Sequence, residues 1–424
     1  MSLLLKNGYV VDSASGFEGV CDLLIENGVI VKRAKNIRDK ADKTVDCKKK
    51  AVIPGICDMH VHFRDPGQTH KEDIISGSEA AAAGGVTAVL CMPNTTPPVD
   101  SMKTVKYILQ KARQAKIKVY PTGCITKGLK GEKLCDFEAL KKAGCVAVSD
   151  DGKPVKNARL MAQALVKAHY AGLRVVSHCE DLDIIDGGIM NSGEVSKLLG
   201  VKGMHRLSED ISTARELVLA GDLEMPVHIC HVSTATSLKL IKTAQDQGVM
   251  VTCETAPHYF MLTDEKLRKR DADYRMNPPL RTKADVEAVI EAICADVVDC
   301  IVTDHAPHAP EEKADFETAP NGVIGLETSL AATLTALYHT DKVSLSKIVR
   351  LMCVNPRRIL GIPGGSLSVG EPADIAVVDL NEEWKVDPEK LHSKSKNSCF
   401  KGMTLKGRVK MTIVDGNIVY EDNA

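Results

Sequence analysis

Eight short apolar, β-branched runs alternate with eight helical stretches between residues 52 and 338, and that alternation leaves few architectures open. The runs lie at 52–60, 86–92, 118–121, 146–149, 174–178, 226–231, 250–254 and 300–303. The helical stretches lie near 72–84, 101–116, 134–144, 158–171, 210–220, 234–247, 283–296 and 326–338. Repeated strand–helix units favour a parallel sheet. Eight of them predict an α/β fold, a (β/α)8 TIM-like barrel. An open doubly wound sheet is the alternative, but no GxGxxG follows a strand.

Both ends read differently from this middle. Leu3-Leu4-Leu5, Gly8-Tyr9-Val10-Val11 and residues 22–31 are apolar runs around Asn-Gly turns, the mark of β-hairpins. Residues 373–380 and 409–420 repeat the style. One small β-sandwich-like domain built from residues 1–50 and 365–424 is expected, with the barrel over 51–364. Two separate small domains are the alternative. A length of 424 residues suits a barrel with one accessory domain. The net charge of -1 gives no reason to expect nucleic acid or a membrane surface as partner. The 14 cysteines are scattered without a CxxC pair, as in a reduced, cytoplasmic protein. No signal peptide and no apolar run of about 18 residues is present, so a soluble protein is expected.

Chemistry gathers at the ends of the runs. The first leads into His60 and His62, and residues two apart in a strand point to one face, about 6–7 Å apart. Arg64 follows, placed to bind an anion beside a metal. Other runs end in Asn94, in Asp150 and Asp151, in His178 and Glu180, in His231 and Ser233, and in Asp304. Barrel active sites are built from this face. One strand histidine is commonly satisfied by backbone carbonyls, and one acid commonly caps a turn. Acids and histidines after five strands point instead to a metal cage. His228, three before His231, is expected on the opposite face as a structural residue. Asp304 suits both a ligand and a proton shuttle. Asp150-Asp151-Gly152 is ordinary turn chemistry, or one of its acids is an oxygen ligand shared by two ions. His308, past the strand, is better placed for substrate. Imidazole and carboxylate donors suit zinc, as one ion or two. Cys179 and Cys230, each adjacent to a histidine ligand, are expected to face away, which makes a thiolate site the lesser reading.

Taken together, these segments resemble the dihydroorotase family of the amidohydrolase superfamily, in its longer bacterial type. The likeness spans nearly the whole chain. It is carried by Asp58-Met59-His60-Val61-His62-Phe63-Arg64-Asp65-Pro66-Gly67, Met92-Pro93-Asn94-Thr95, Asp150-Asp151-Gly152, Asn277-Pro278-Pro279-Leu280-Arg281, Thr303-Asp304-His305-Ala306-Pro307-His308 and Ala319-Pro320-Asn321-Gly322. The resemblance implies reversible cyclisation of N-carbamoyl-L-aspartate to L-dihydroorotate and water in pyrimidine (UMP) synthesis. It implies two zinc ions per chain. His60, His62 and Asp304 would hold one, His178 and His231 the other. Asp151 would bridge them where many relatives carry a carboxylated lysine. Asp304 would move the proton. Arg64, Asn94 and His308 would hold the unreacting carboxylate, with His62 contributing. Asn277 and the backbone of Asn321-Gly322 would meet the ring amide edge. The partners implied are a small-molecule substrate, a second copy of the chain in a homodimer, and aspartate transcarbamoylase. Hydantoinase or dihydropyrimidinase, and allantoinase, share the cage but need no arginine for a carboxylate. An inactive assembly partner typically loses metal histidines, and none is lost here. Residues 311–320 are either a lid or a solvated loop.

Overall fold

The chain changes sheets at Gly55. In the computed structural model, which describes residues 2–422, Ala51–Pro54 pairs in parallel with Tyr9 and Val10 and antiparallel with residues 375–378. Ile56–Val61 then opens a second, parallel sheet. The single strand expected over 52–60 is therefore two. The cause is local: a Cβ on Gly55 would lie 2.2 Å from the Thr87 side chain, so only glycine lets the backbone pass there. The buried Arg357 guanidinium donates to the Gly55 carbonyl and to the Thr87 hydroxyl, each at 2.7 Å, and pins the crossing.

The parallel sheet is the barrel. Its strands are Ile56–Val61, Val86–Cys91, Lys118–Cys124, Ala147–Ser149, Arg174–Ser177, Val227–Ile229, Val251–Thr255 and Cys300–Ile301, each paired with the next. A parallel bridge between Val61 and His305 joins the first strand to the segment after the last. The His62 amide donates to the His305 carbonyl there at 2.8 Å. Parallel strands bury both faces. Met59, Leu90, Val176, Cys300 and Val302 form one buried cluster, while Val89, Val119, Val175, Val227 and Ile301 belong to another shared with the helices. The expected alternation holds, with additions: the helix Pro257–Met261 after the seventh strand, a helical run over 345–360 after the last expected stretch, and a longer insertion after the fifth strand. After the fifth strand come two short helices, Leu182–Ile185 and Glu194–Leu199, and a two-stranded ribbon, Met190–Asn191 with Gly203–Met204. The 17-residue helix Leu207–Leu223 follows.

Both ends of the chain enter one mixed sheet of eight strands. Its order is Asn417–Glu421, Thr404–Val414, Ile375–Lys385, Ala51–Pro54, Ser2–Asp12, Phe17–Glu26 and Val29–Ala34, with Lys43–Asp46 also paired to Ser2–Asp12. Leu3, Leu5, Leu23, Ile25, Val52, Ile375 and Ile413 make its own core. Residue 1 and residues 423–424 of the expected terminal domain lie outside the described residues. Among the described residues, no helix is long and apolar enough to cross a membrane.

Candidate metal centre and substrate cavity

The first barrel strand carries a register shift between Asp58 and Val61, just where its side chains turn from packing to chemistry. His60 and His62 project together, with ring centroids 5.5 Å apart. Asp58, buried beneath them, accepts hydrogen bonds from the amides of His60 and Thr303. It ties the strand ends that carry His60 and Asp304.

Asp151 sits at the middle of the cluster. One carboxylate oxygen lies 3.4 Å from His60 Nε2, 3.3 Å from His178 Nδ1 and 3.8 Å from His231 Nε2. The other lies 3.5 Å from His62 Nε2. Asp304 Oδ1 is 3.2 Å from His62 Nε2 and 3.7 Å from His60 Nε2. Asp150 is turned away: its carboxylate accepts from the amides of Ile125 and Thr126 and from the Thr126 hydroxyl. Among the described residues, His60 Nε2, Asp151 Oδ1 and His231 Nδ1 are buried without a hydrogen-bond partner. Leaving such a group unpaired costs about 1–3 kcal/mol. A cation in the cluster would engage His60 Nε2 and Asp151 Oδ1. The sets His60/His62/Asp151 and Asp151/His178/His231 each bring their donor atoms within 4.8 Å of one another. These residues fit a metal.

Each of three histidines is held from behind, which fixes the nitrogen it presents. His60 Nδ1 bonds Glu254 at 2.6 Å, leaving Nε2 to face Asp151. His62 Nδ1 bonds the Asn94 side-chain oxygen at 2.8 Å, again leaving Nε2. His178 reverses the arrangement: Nε2 bonds Glu180 at 3.0 Å and Nδ1 faces inward. Glu180 also accepts from the Asn277 side chain at 3.0 Å. Glu254 was not foreseen, although it ends the seventh run as the other acids end theirs. Its second oxygen bonds His228 Nε2 at 3.1 Å, and His228 Nδ1 meets the Thr252 hydroxyl at 2.8 Å. Burial favours the neutral form of Glu254, but the charge of His60 and the bond to His228 outweigh it and hold the carboxyl at about 2.

Two expectations from strand alternation fail at the sixth strand. Its regular part ends at Ile229, and His231 has φ of 31°. The turned backbone brings His231 inward although its neighbour Cys230 is inward too. Cys230 lies with His60 and His231 in a third cluster of donor atoms, rather than facing away. Burial raises its thiol well above the ordinary value. His228 is structural as expected, but it faces the same interior. Cys179 packs in the cluster shared with the helices. Arg64 and Asp304 also have positive φ, 58° and 49°. Strained backbone of this kind collects at functional sites.

Above the cluster is a cavity of about 190 Å³. His62, Arg64, Asn94, Asp151, His178, His231, Asn277, Asp304, His308, Asn321 and Gly322 line it. His60 lies below, fully buried. Arg64 is held by the Pro307 carbonyl at 3.2 Å, and its guanidinium comes within 3.4 Å of His308 Nε2. His308 Nε2 lies 2.9 Å from the Asn321 carbonyl. Burial, with Arg64, Lys71 and Lys313 nearby, pushes His308 down to about 2, so it is neutral. Burial raises Asp304, but the bond to His62 and the charges of His60 and His231 bring it to about 2, so it is ionised at neutral pH. Gly322, at φ 139°, leaves no room for a side chain: a Cβ would lie 2.8 Å from Ala306 and 3.0 Å from His308.

A second unforeseen residue comes from the far end of the chain. Asn397 accepts from the His308 amide at 3.2 Å and donates to the Gly322 carbonyl at 3.0 Å. It sits in a Ser- and Lys-rich stretch, 393–398, that carries no motif.

The sequence and the fold place this chain among known proteins. Residues 49–237 match a family model described as Dihydro-orotase-like, and residues 286–420 match one described as Amidohydrolase family. Proteins named Dihydroorotase from Acetivibrio thermocellus and Geobacter metallireducens are 48% and 49% identical to it. Each alignment covers 99% of this chain and at least 99% of the relative. One from Aquifex aeolicus is 46% identical, with 100% of both chains covered. Among solved structures, an L-hydantoinase (dihydropyrimidinase) from Arthrobacter aurescens matches with a TM-score of 0.89 at 26% identity, covering 100% of this chain and 96% of that one. The full-length identity, far above that of the structural neighbour, shows that this chain belongs to the dihydroorotase family.

Proposed function

We propose that the chain catalyses the reversible cyclisation of N-carbamoyl-L-aspartate to L-dihydroorotate and water, a step of pyrimidine synthesis. The observation that carries this reading is Arg64, buried in the cavity wall between the metal cluster and a neutral His308. Among the described residues that guanidinium has no carboxylate in salt-bridge contact, and its planar fork matches one bidentately. The ligand is then a ring or open-chain amide with a carboxylate that does not react. A hydantoin has no such group.

His60, His62 and Asp304 would hold one zinc ion, His178 and His231 a second, with Asp151 bridging. Zinc in such a cage acidifies water and polarises a carbonyl. Every other task falls to the chain. Arg64, Asn94 and His308 hold the substrate carboxylate, assisted by His62. Asn277 and the backbone at Asn321-Gly322 orient the amide edge. In ring opening, water adds to the amide carbonyl, and ionised Asp304 takes its proton and delivers it to the departing nitrogen. In ring closure Asp304 returns the proton as water leaves. The same reading divides the chain into a barrel over 51–364 and a domain from both ends, 1–50 and 365–424. It places the enzyme in the cytoplasm as a homodimer, with aspartate transcarbamoylase as a protein partner.

The test is turnover of dihydroorotate, carbamoyl aspartate and hydantoin by the purified chain, with zinc stoichiometry measured alongside. Hydantoin turnover without dihydroorotate turnover overturns the reading.

A further inference from the structure

The helix Leu207–Leu223 packs its inner face on the barrel through residues such as Leu217 and Ala220. Its outer face carries a second apolar stripe. Leu207, Ile211 and Val218 are 46%, 48% and 70% exposed, and Ala214 is half-buried between them. Their spacing of four, three and four residues is that of a coiled-coil seam. Scattered exposed apolar residues are ordinary, but an aligned row marks a contact surface. The flanking helices extend it. Both Ala158–Tyr170 and Leu182–Ile185 pack against this helix, and they bring Tyr170, 79% exposed, and Leu182, 37% exposed. A stable interface buries about 800 Å² per partner, more than one helix offers, and these neighbours supply further exposed apolar residues beside the stripe.

We infer that this face joins two copies of the chain, with the helices Leu207–Leu223 crossing antiparallel about a twofold axis between Ile211 and Ala214. The inference rests on the homodimer in the reading above and gives it a surface. Two features favour a second copy over an unrelated protein. The stripe is self-complementary: the twofold sets Leu207 beside Val218 of the partner subunit, and Ile211 beside Ala214 of the partner subunit. The charges agree as well. Lys202 and His205 precede the helix, and Asp222 and Glu224 end it, all exposed. An antiparallel crossing sets basic end against acidic end, while a parallel one opposes like charges. Lys202 now pairs with Asp186 at 2.6 Å on the open surface, a contact weak enough to exchange. Such rim charges set orientation more than affinity. Ala214, small and half-buried on the same face, lets the two backbones approach.

The experiment is light scattering of the full metal-loaded chain at micromolar concentration. The native chain is expected at twice 45.8 kDa. Ile211→Lys/Val218→Glu is expected to weaken association about 100-fold or more and to run as a monomer with native circular dichroism. A monomeric native chain overturns the homodimer and the surface together. A variant that folds and stays dimeric overturns the surface alone. Should the variant fail to fold, cysteines replace it, in a Cys294→Ser background that removes the exposed thiol. Leu207→Cys mixed with Val218→Cys is expected to form a disulfide dimer, and neither alone. Self-crosslinking of Leu207→Cys, or no crosslink in a dimeric protein, overturns the antiparallel seam.

Discussion

Glu254 grips two imidazoles at once, and only one of them faces the metal cluster. Its charge holds a proton on His60 Nδ1, which leaves Nε2 as the nitrogen turned toward Asp151. Glu254→Gln keeps the shape and removes that bias. Zinc affinity is expected to fall about 10–100-fold, measured as zinc retained against graded chelator. Asp304 has the opposite exposure: it lines the cavity, where the proposed reaction asks it to move the proton. Asp304→Asn is expected to lower kcat roughly 10²–10⁴-fold with circular dichroism unchanged, and near-native turnover would remove it from that task. Residues such as His60, His178 and Asp304 were legible because an imidazole or an acid is out of place at the end of an apolar strand. The orienting residues were less so. Glu254 obeys the same rule, yet nothing in one sequence tells a ligand from the group behind it. Cys230 and His231 both point inward only because the backbone turns at φ 31°, which periodicity does not reveal.

At the scale of elements, the stretch 391–400 does what no barrel loop does. It reaches from the terminal sheet across the barrel mouth, where Ser393 and the Lys394 amide bond Glu72 and Asn397 props the backbone of His308 and Gly322. Asn397→Ala leaves the His308 amide unpaired, while the Gly322 carbonyl keeps its bond from Lys313 at 3.1 Å. KM for dihydroorotate is expected to rise about tenfold, the equivalent of one lost buried hydrogen bond of about 1.4 kcal/mol, while bound zinc stays unchanged. Glu327 anchors the same stretch through the His392 amide and ring, each within 2.8 Å. The bond to Glu327 raises the His392 pKa, so folding takes up a proton. That stability is fully present below the ordinary histidine value of about 6.5 and is lost as pH rises through the raised one. The midpoint of thermal unfolding is expected to fall as pH rises above the ordinary histidine value of about 6.5, and His392→Asn to flatten that slope. The strands and helices were legible from periodicity, since a strand buried on both faces is a short apolar run. This crossing stretch was not. It has no periodicity, and the partners that anchor it lie 65 or more residues away along the chain, beyond any local pattern.

For the whole molecule, the metal cluster and the barrel stability are one system. His60, Asp151, His178, His231 and Asp304 come from five strands or their ends, so ions that bind them bind only the closed barrel. Removing metal with a chelator is expected to lower the unfolding midpoint, and zinc at 100 times its dissociation constant to restore about 2.7 kcal/mol. A chain whose midpoint ignores both has no such coupling. The barrel was foreseen as a unit. The exit of its first run into the other sheet at Gly55 was not, because that sheet's contacts are set by residues 375–378. Those residues also decide when the protein can finish. Ala51–Pro54 lies between Ser2–Asp12 and Ile375–Lys385. On the ribosome its second partner emerges roughly 300 residues later, tens of seconds at ordinary elongation rates. Through that interval an apolar strand edge stands open beside a growing barrel, the kind of edge that pairs with other chains. Slower translation through the barrel is then expected to lengthen that exposure and lower the soluble fraction of newly made chain, measured by pulse-labelling at two elongation rates.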